Sequence, residues 1–325
     1  MLQYEYKTKS KIMAIQELRS KNFRWIDITN VRDRNCPEIK YLKKNFNPHP
    51  INLEDCINNG QRPKIDVYKD HLFLVMLYPI YNRQTGEMIA AEIDFFISKD
   101  YIITVHDKKL QSMYRYFNHL SKLKNDREKK EFLSNNIMVI LYEILNKQIY
   151  HCFPMLDHIS IDIHGSERNI FRGKEKDMVG KILASRRNVV NFRKSMQAHK
   201  NILKKLEAAN KELNFFDPNK ADVYFNSLID KVKEVWDTLE GFKESIEALQ
   251  ETNESLISFK LNQIMKNFTI ISVVIFVLTL VATIIGVGAN GTPIIGWPFG
   301  FWILIGVEIV IAFLVFTFFR KRNWL

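Results

Sequence analysis

Cysteine is scarce: Cys36, Cys56 and Cys152 stand far apart in a chain of 325 residues and form no CxxC pair. That spacing excludes a disulfide framework and a zinc-finger site, and it fits a reduced cytoplasmic setting. Short catalytic signatures are also missing. No Walker loop, Gly-x-Ser-x-Gly elbow or His-Glu-x-x-His pair occurs, so the chain does not read as an enzyme and calls for no organic cofactor. The opening MLQYEYKTKSKIM is polar and lacks the apolar segment of a signal peptide. The net charge is +11, but no nucleic-acid motif accompanies it. Basic residues are scattered over helical segments and concentrated beside two apolar runs. That points to an anionic leaflet, with no nucleic acid among the partners.

Charge is nearly absent from two stretches. FTIISVVIFVLTLVATII (Phe268–Ile285) has none, and FGFWILIGVEIVIAFLVFTFF (Phe299–Phe319) has only Glu308. Each approaches the roughly 20 residues of helix that span a bilayer core. A helical hairpin buried in a soluble core is the competing reading. The flanks favour a bilayer: Lys260 and Lys266 precede the first run, and Arg320, Lys321 and Arg322 follow the second. The neutral TIIGVGANGTPIIGWP (Thr283–Pro298) lies across the join. By the positive-inside rule both termini are cytoplasmic and the loop faces out, in a multi-pass protein of the cell's inner or plasma membrane. Trp297, Trp302 and Trp324 suit the interfaces.

The first part of the chain reads as α/β. FRWIDIT is strand-like, HLFLVMLYPIY is a buried strand ended by the turn NRQTGE, and AEIDFFIS with YIITVHD forms a hairpin. NPHPINLEDCINNGQRPKID reads as a short helix with proline-marked ends. From about Glu131 the apolar spacing turns helical. One long helix is expected over NNIMVILYEILNKQIYHCFPMLDHISIDI, with Pro154 as a kink, and a second over VGKILASRRNVVNFRKSMQAHKNILKKLEAAN. Asp217-Pro218 then reads as an N-cap with proline at the first position. With no later Gly–Pro break, one helix is expected from Pro218 to about Val287, on the order of 100 Å long. Such a rod cannot bury its apolar stripe alone and calls for copies of itself. The segments are a cytoplasmic α/β domain (1–130), a cytoplasmic helical pair (131–217), a stalk helix continuing into the first span (218–287), an outer loop (288–298), a second span (299–319) and a basic cytoplasmic tail (320–325).

One face of the long helix stands out. Asn262, Met265, Thr269, Ser272, Phe276, Thr279, Thr283 and Gly286 follow an alternating three-and-four spacing, a heptad seam. Within the span it is the least apolar face. Small polar residues of this kind pack membrane helices together. In a ring of identical helices they instead line a water-filled path, where hydroxyls replace part of an ion's shell and Phe276 constricts it. The glycine-rich loop would then ring the mouth with free backbone groups. Glu308 is costly in mid-span: it is either a structural acid hydrogen-bonded to a neighbouring helix or a proton-coupling group. His151, Asp157, His158, Asp162 and His164 cluster within fourteen residues. Without cysteine partners they read as a solvated helix face before a metal sensor.

Several features together resemble the CorA family of divalent-cation transporters. They are two C-terminal spans, a long helix leading into the first, a short outer loop, the ending RKRNWL, the segment LEDCINNGQRPKID and the stretch YFNSLIDKVKEVWDTLEGF. The resemblance implies a funnel-shaped homopentamer. Each chain would carry an N-terminal α/β/α cytoplasmic domain, and the first span would line a central pore. The implied cargo is Mg²⁺, with Co²⁺ and Ni²⁺ admitted, or Zn²⁺ with protons in the ZntB-like branch. The family's Gly-Met-Asn loop signature falls, without a gap, on Gly286-Val287-Gly288, which keeps Pro293 in its family position. Gly288 then replaces the signature asparagine, and Asn290 lies two residues on; a shifted placement uses Gly288-Ala289-Asn290. The two aspartates that bind regulatory Mg²⁺ between subunits in many members correspond to Asn82 and Ser227, with Asp222 and Asp230 as nearby compensation. These departures leave a third alternative, a CorA-like membrane scaffold that transports nothing.

Overall fold

The computed structural model describes residues 15–20, 23–58, 60–122, 137–213, 215–286 and 298–322. Contacts divide the chain into two units, Met1–Leu249 and Gln250–Leu325.

The first unit is organised by one mixed sheet. Its strands are β1 (Ile15–Arg19), β2 (Arg24–Thr29), β3 (Lys64–Val67), β4 (Leu72–Asn82), β5 (Glu87–Ile97) and β6 (Tyr101–His106), in the order β1-β2-β6-β5-β4-β3. Only β2 and β6 pair in parallel; the other neighbours are antiparallel. The β4–β5 hairpin stays in register from Leu72 opposite Ile97 to Asn82 opposite Glu87. Its turn closes at Gly86 with φ 69°, where a side chain would be strained.

Strand alternation sends Ile26 and Ile28 to one face and Trp25 and Asp27 to the other. The first face packs under α1 (Pro37–Phe46) and α2 (Pro50–Asp55), where Ile39, Leu42 and Leu53 meet Val75, Phe96 and Val105 in one buried cluster. On the other face Phe117 of α3 (Gln111–Lys122) meets the Trp25 ring edge-on at 4.9 Å. Then follow α4 (Ile137–Tyr150), α5 (Cys152–Phe171), α6 (Glu175–Met196) and α7 (His199–Leu213). The side chain of Asn188 on α6 accepts from Met88 N–H and donates to Gly86 C=O, both at 3.0 Å, and Asn191 donates to Met88 C=O at 3.0 Å. These bonds fix α6 across the start of β5. Helices on both faces make this an α/β/α layer, the expected class.

Several elements differ from the sequence reading. The Lys64–Val67 stretch, whose first three residues end the segment read as a short helix, is an edge strand, and the helix there is confined to Pro50–Asp55. The helix expected over 135–163 breaks at His151 between α4 and α5. Pro154 explains the break, since its ring clashes with the carbonyl four residues earlier, that of Tyr150, the last residue of α4. The second expected helix is split into α6 and α7 at Gln197–Ala198; nothing in the side chains there explains it.

The long helix is α8 (Pro218–Gly286), uninterrupted over 69 residues and shared by both units. The second unit also contains α9 (Gly300–Lys321). Both helices are long and apolar enough to cross a membrane, with windows of mean hydropathy 2.4 and 2.5. Within the chain those windows are only 6% and 0% buried. A hairpin in a soluble core would cover these side chains, so the bilayer is the better solvent for them.

Candidate functional site

On α8 the side chains divide into two faces. Ile270 is buried, and Val274, Val277, Leu278 and Val281 are half-buried. At 3.6 residues per turn these five share one side of the helix. The heptad stripe runs down the opposite side. Asn262, Met265, Thr269, Ser272, Phe276, Thr279 and Thr283 are all exposed, Phe276 by 69%. Gly286 is the last residue of α8. The stripe is therefore left uncovered by the chain's own packing. The expected loop residues Val287, Gly288, Asn290 and Pro293 lie outside the described residues.

The hydroxyls of the stripe have a common geometry. Thr269, Thr279 and Thr283 each donate to the carbonyl four residues earlier, at 2.9, 2.8 and 2.6 Å. A threonine that bonds back in this way has spent its only proton. Its oxygen lone pairs remain, so an otherwise apolar helix gains a column of acceptors. Acceptors on an uncovered face suit water molecules that point their protons outward, as the first shell of a cation does.

On α9 the half-buried positions include Leu304, Glu308, Ile311, Ala312 and Val315, again one side of a helix. Glu308 is centred on the sheltered side, away from the exposed face of α9.

In the first unit Asn82 and Ser227 already have partners. The Asn82 side-chain oxygen accepts from Gln84 N–H at 3.0 Å, and the Ser227 hydroxyl lies 3.4 Å from that of Tyr142. Asp222 is 3.2 Å from the Lys211 ammonium, which also holds Glu207 at 2.8 Å. Asp230 is exposed. Among the described residues no three His, Cys, Asp or Glu side chains are grouped to hold a metal ion, those of 151–164 included. His164 leans on Glu167 at 3.5 Å, and burial, then Lys147 and Arg115, lowers the pKa of His151.

One buried polar network has no counterpart in the sequence reading. The Asp27 carboxylate accepts from the Thr104 hydroxyl at 2.6 Å and lies 3.1 Å from Nε2 of His106. Trp25 Nε1–H donates to the same hydroxyl at 3.1 Å. The side chains of Asp27 and His106 are 2% and 0% exposed. Burial alone would lower the pKa of His106; the adjacent Asp27 charge and hydrogen bond outweigh it and raise it. A group raised in this way stabilises the fold fully below its unfolded value, about 6.5 for histidine, and the contribution is lost as pH rises through the folded value. Urea midpoints of the full-length protein are therefore expected to fall as pH rises from 6 to 9, and this slope should flatten in Asp27→Asn.

Comparison with known proteins agrees with this architecture. The family model described as "CorA-like Mg2+ transporter protein" matches residues 20–321. The chain is 24% identical to the cobalt/magnesium transport protein CorA of Thermotoga maritima, across 99% of this chain and 89% of that one. It is 23% identical to the protein of the same name from Methanocaldococcus jannaschii, across 96% and 95% of the two chains. The solved structure of the CorA magnesium transporter from Methanocaldococcus jannaschii superposes with a TM-score of 0.79 at 21% identity, covering 94% of this chain and 92% of that one.

Proposed function

Since the chain belongs to the CorA family of metal-ion transporters, we propose that it carries divalent cations across a membrane, Mg²⁺ foremost, through a path lined by the α8 stripe. It is a transporter and not an enzyme. Relatives named for magnesium and cobalt transport support the cargo, and Ni²⁺ has the same charge and a similar demand for six ligands. The observation that carries the path is the column of threonine oxygens on the uncovered face of α8. A single helix cannot enclose water. Five copies arranged about an axis would, with each α9 outside its own α8 and both termini in the cytoplasm.

In this reading the ion moves hydrated or partly hydrated from the Gly286–Gly288 mouth to Asn262, where side-chain amides meet its water. At the position of the signature asparagine Gly288 offers only its backbone to the ion's water, Asn290 follows two residues on in the sequence, and Pro293 keeps its family spacing. Met265 and Phe276 are the apolar constrictions, closed and opened by small movements of the long helices. Truncating one of them lowers the barrier to leakage. Phe276→Ala is expected to raise resting Mg²⁺ entry severalfold, read with a Mg²⁺-sensitive dye in proteoliposomes; unchanged entry would remove Phe276 as a gate.

Control by intracellular Mg²⁺ at Asn82 and Ser227 is expected to be weak or absent. Two neutral groups do not replace two carboxylates for a hard cation, and the Lys211 ammonium already neutralises Asp222. Structures determined in chelator and in excess Mg²⁺ should show the same subunit arrangement, with no ion at these positions. Divergent arrangements with ions near Asn82 would contradict this.

A further inference from the structure

The α2-covered face of the sheet contains a second acidic feature, unrelated to the stripe. Glu92 and Asp94 are two residues apart on β5 and so project from the same face. They border a pocket of about 230 Å³ together with Asn30, Arg32, Cys56 and Asp107. One oxygen of Glu92 is fixed by two backbone amides, Gly60 N–H and Gln61 N–H, both at 2.8 Å. Asp94 forms the inner wall. It is only 3% exposed, and its Oδ1 has no hydrogen-bond partner.

A buried carboxyl oxygen left without a donor is costly, more so beside a second carboxylate: burial and then the Glu92 charge push the pKa of Asp94 up, and the donor beside it is the weak Cys56 thiol. Lys64 does not relieve it, since its ammonium is held by Asp55 and Asp66, each at 2.8 Å. We propose that this pocket binds a hydrated divalent cation of the Mg²⁺ class, held by the carboxylates of Glu92 and Asp94. The choice of cation follows from the donor set. No third His, Cys, Asp or Glu completes a cage among the described residues, so the occupant keeps most of its water. Mg²⁺ binds in that way, through one or two carboxylates, whereas structural Zn²⁺ takes four protein ligands. At about 30 Å³ per water the pocket has room for an ion with most of its first shell. Arg32 and His106 are the bordering groups that would favour an anion, and His106 is already held by Asp27; against them stand the three carboxylates of Glu92, Asp94 and Asp107. The bound ion would tie α2 and the Gly60–Gln61 turn to the centre of the sheet.

The test uses full-length protein in detergent, with Mn²⁺ as probe and free Mn²⁺ counted from its EPR signal during titration. Ions bound elsewhere, including in the path proposed above, remain in wild type and variant alike and cancel in the difference. Wild type is expected to bind about one more Mn²⁺ per chain than either Glu92→Gln or Asp94→Asn, at unchanged far-UV circular dichroism. Glu92→Gln keeps an oxygen for the two amides, so it tests the site even if Asp94→Asn does not fold. Equal Mn²⁺ counts in wild type and folded Glu92→Gln would overturn the proposal.

Discussion

Thr279→Trp should reduce divalent-cation entry at least tenfold, to the level of empty liposomes, while the protein still assembles. Thr279 sits in the C-terminal half of the exposed stripe, one helical turn from both Phe276 and Thr283. An indole there removes a lone-pair acceptor and fills the space that a hydrated ion needs. In a ring of identical chains one substitution acts in every copy at the same level, so the effect is multiplied around the axis. Two controls separate obstruction from misfolding. Thr279→Ser keeps the hydroxyl and its bond to Ile275 C=O, now 2.8 Å, and should keep flux within about twofold, well inside 1 kcal/mol of barrier. Ile284→Trp places the same indole at an exposed position well round the helix from the stripe, and flux should persist. Equal loss in both tryptophan variants would make the stripe a packing seam.

The largest stability effect is expected at Asp27→Ala. Deleting the carboxylate leaves the His106 imidazole buried with nothing facing Nε2, and leaves Thr104 without its 2.6 Å acceptor. Removing one partner of a buried pair costs about 3–5 kcal/mol. Domains are stable by only about 5–15 kcal/mol, so much of the folded margin would go. Asp27→Asn retains an oxygen for Thr104 and removes only the charge, with an expected cost of about 1.5–3 kcal/mol. Urea unfolding followed by far-UV circular dichroism at pH 6 orders the three proteins: wild type, then Asn, then Ala. Equal midpoints for wild type and Asp27→Ala would mean that the network contributes nothing.

Elements with a strong apolar period are the ones legible in the sequence. HLFLVMLYPIY, AEIDFFIS and YIITVHD correspond to β4, β5 and β6 because their strands are buried at the centre of the sheet, where nearly every residue is apolar. The edge strands β1 and β3 are not legible. IQELR and KIDV are half-exposed, so the alternation that marks a strand is blurred. Helix α3 has the period of an amphipathic helix, with Met113, Phe117 and Leu120 buried on one face, and it is missing from the sequence reading. The continuity of α8 follows from the absence of a proline or glycine pair, and the stripe from counting threes and fours.

The site is less evenly legible. Spacing identifies the stripe residues, but only coordinates could show that the face is uncovered and that its threonines bond inward. Asp27 and Asp94 carry a faint signal, an acid set among apolar neighbours in FRWIDIT and AEIDFFIS. What each acid meets depends on β6, far away in sequence for Asp27, and that pairing is a property of the fold: Asp27 lies opposite Thr104, and Asp94 opposite Val105.

The central claim is that this chain moves a divalent cation without the family's loop asparagine. The most direct measurement is Mg²⁺ entry into proteoliposomes loaded with a Mg²⁺-sensitive dye, with Co²⁺ and Zn²⁺ in parallel, at matched and stepped pH. Saturable Mg²⁺ entry that is indifferent to the pH step is the result expected here. Zn²⁺ entry that follows the proton gradient and disappears in Glu308→Gln would point to symport instead. Silence for all three ions, from protein shown to be an intact oligomer, would contradict transport and leave a membrane scaffold.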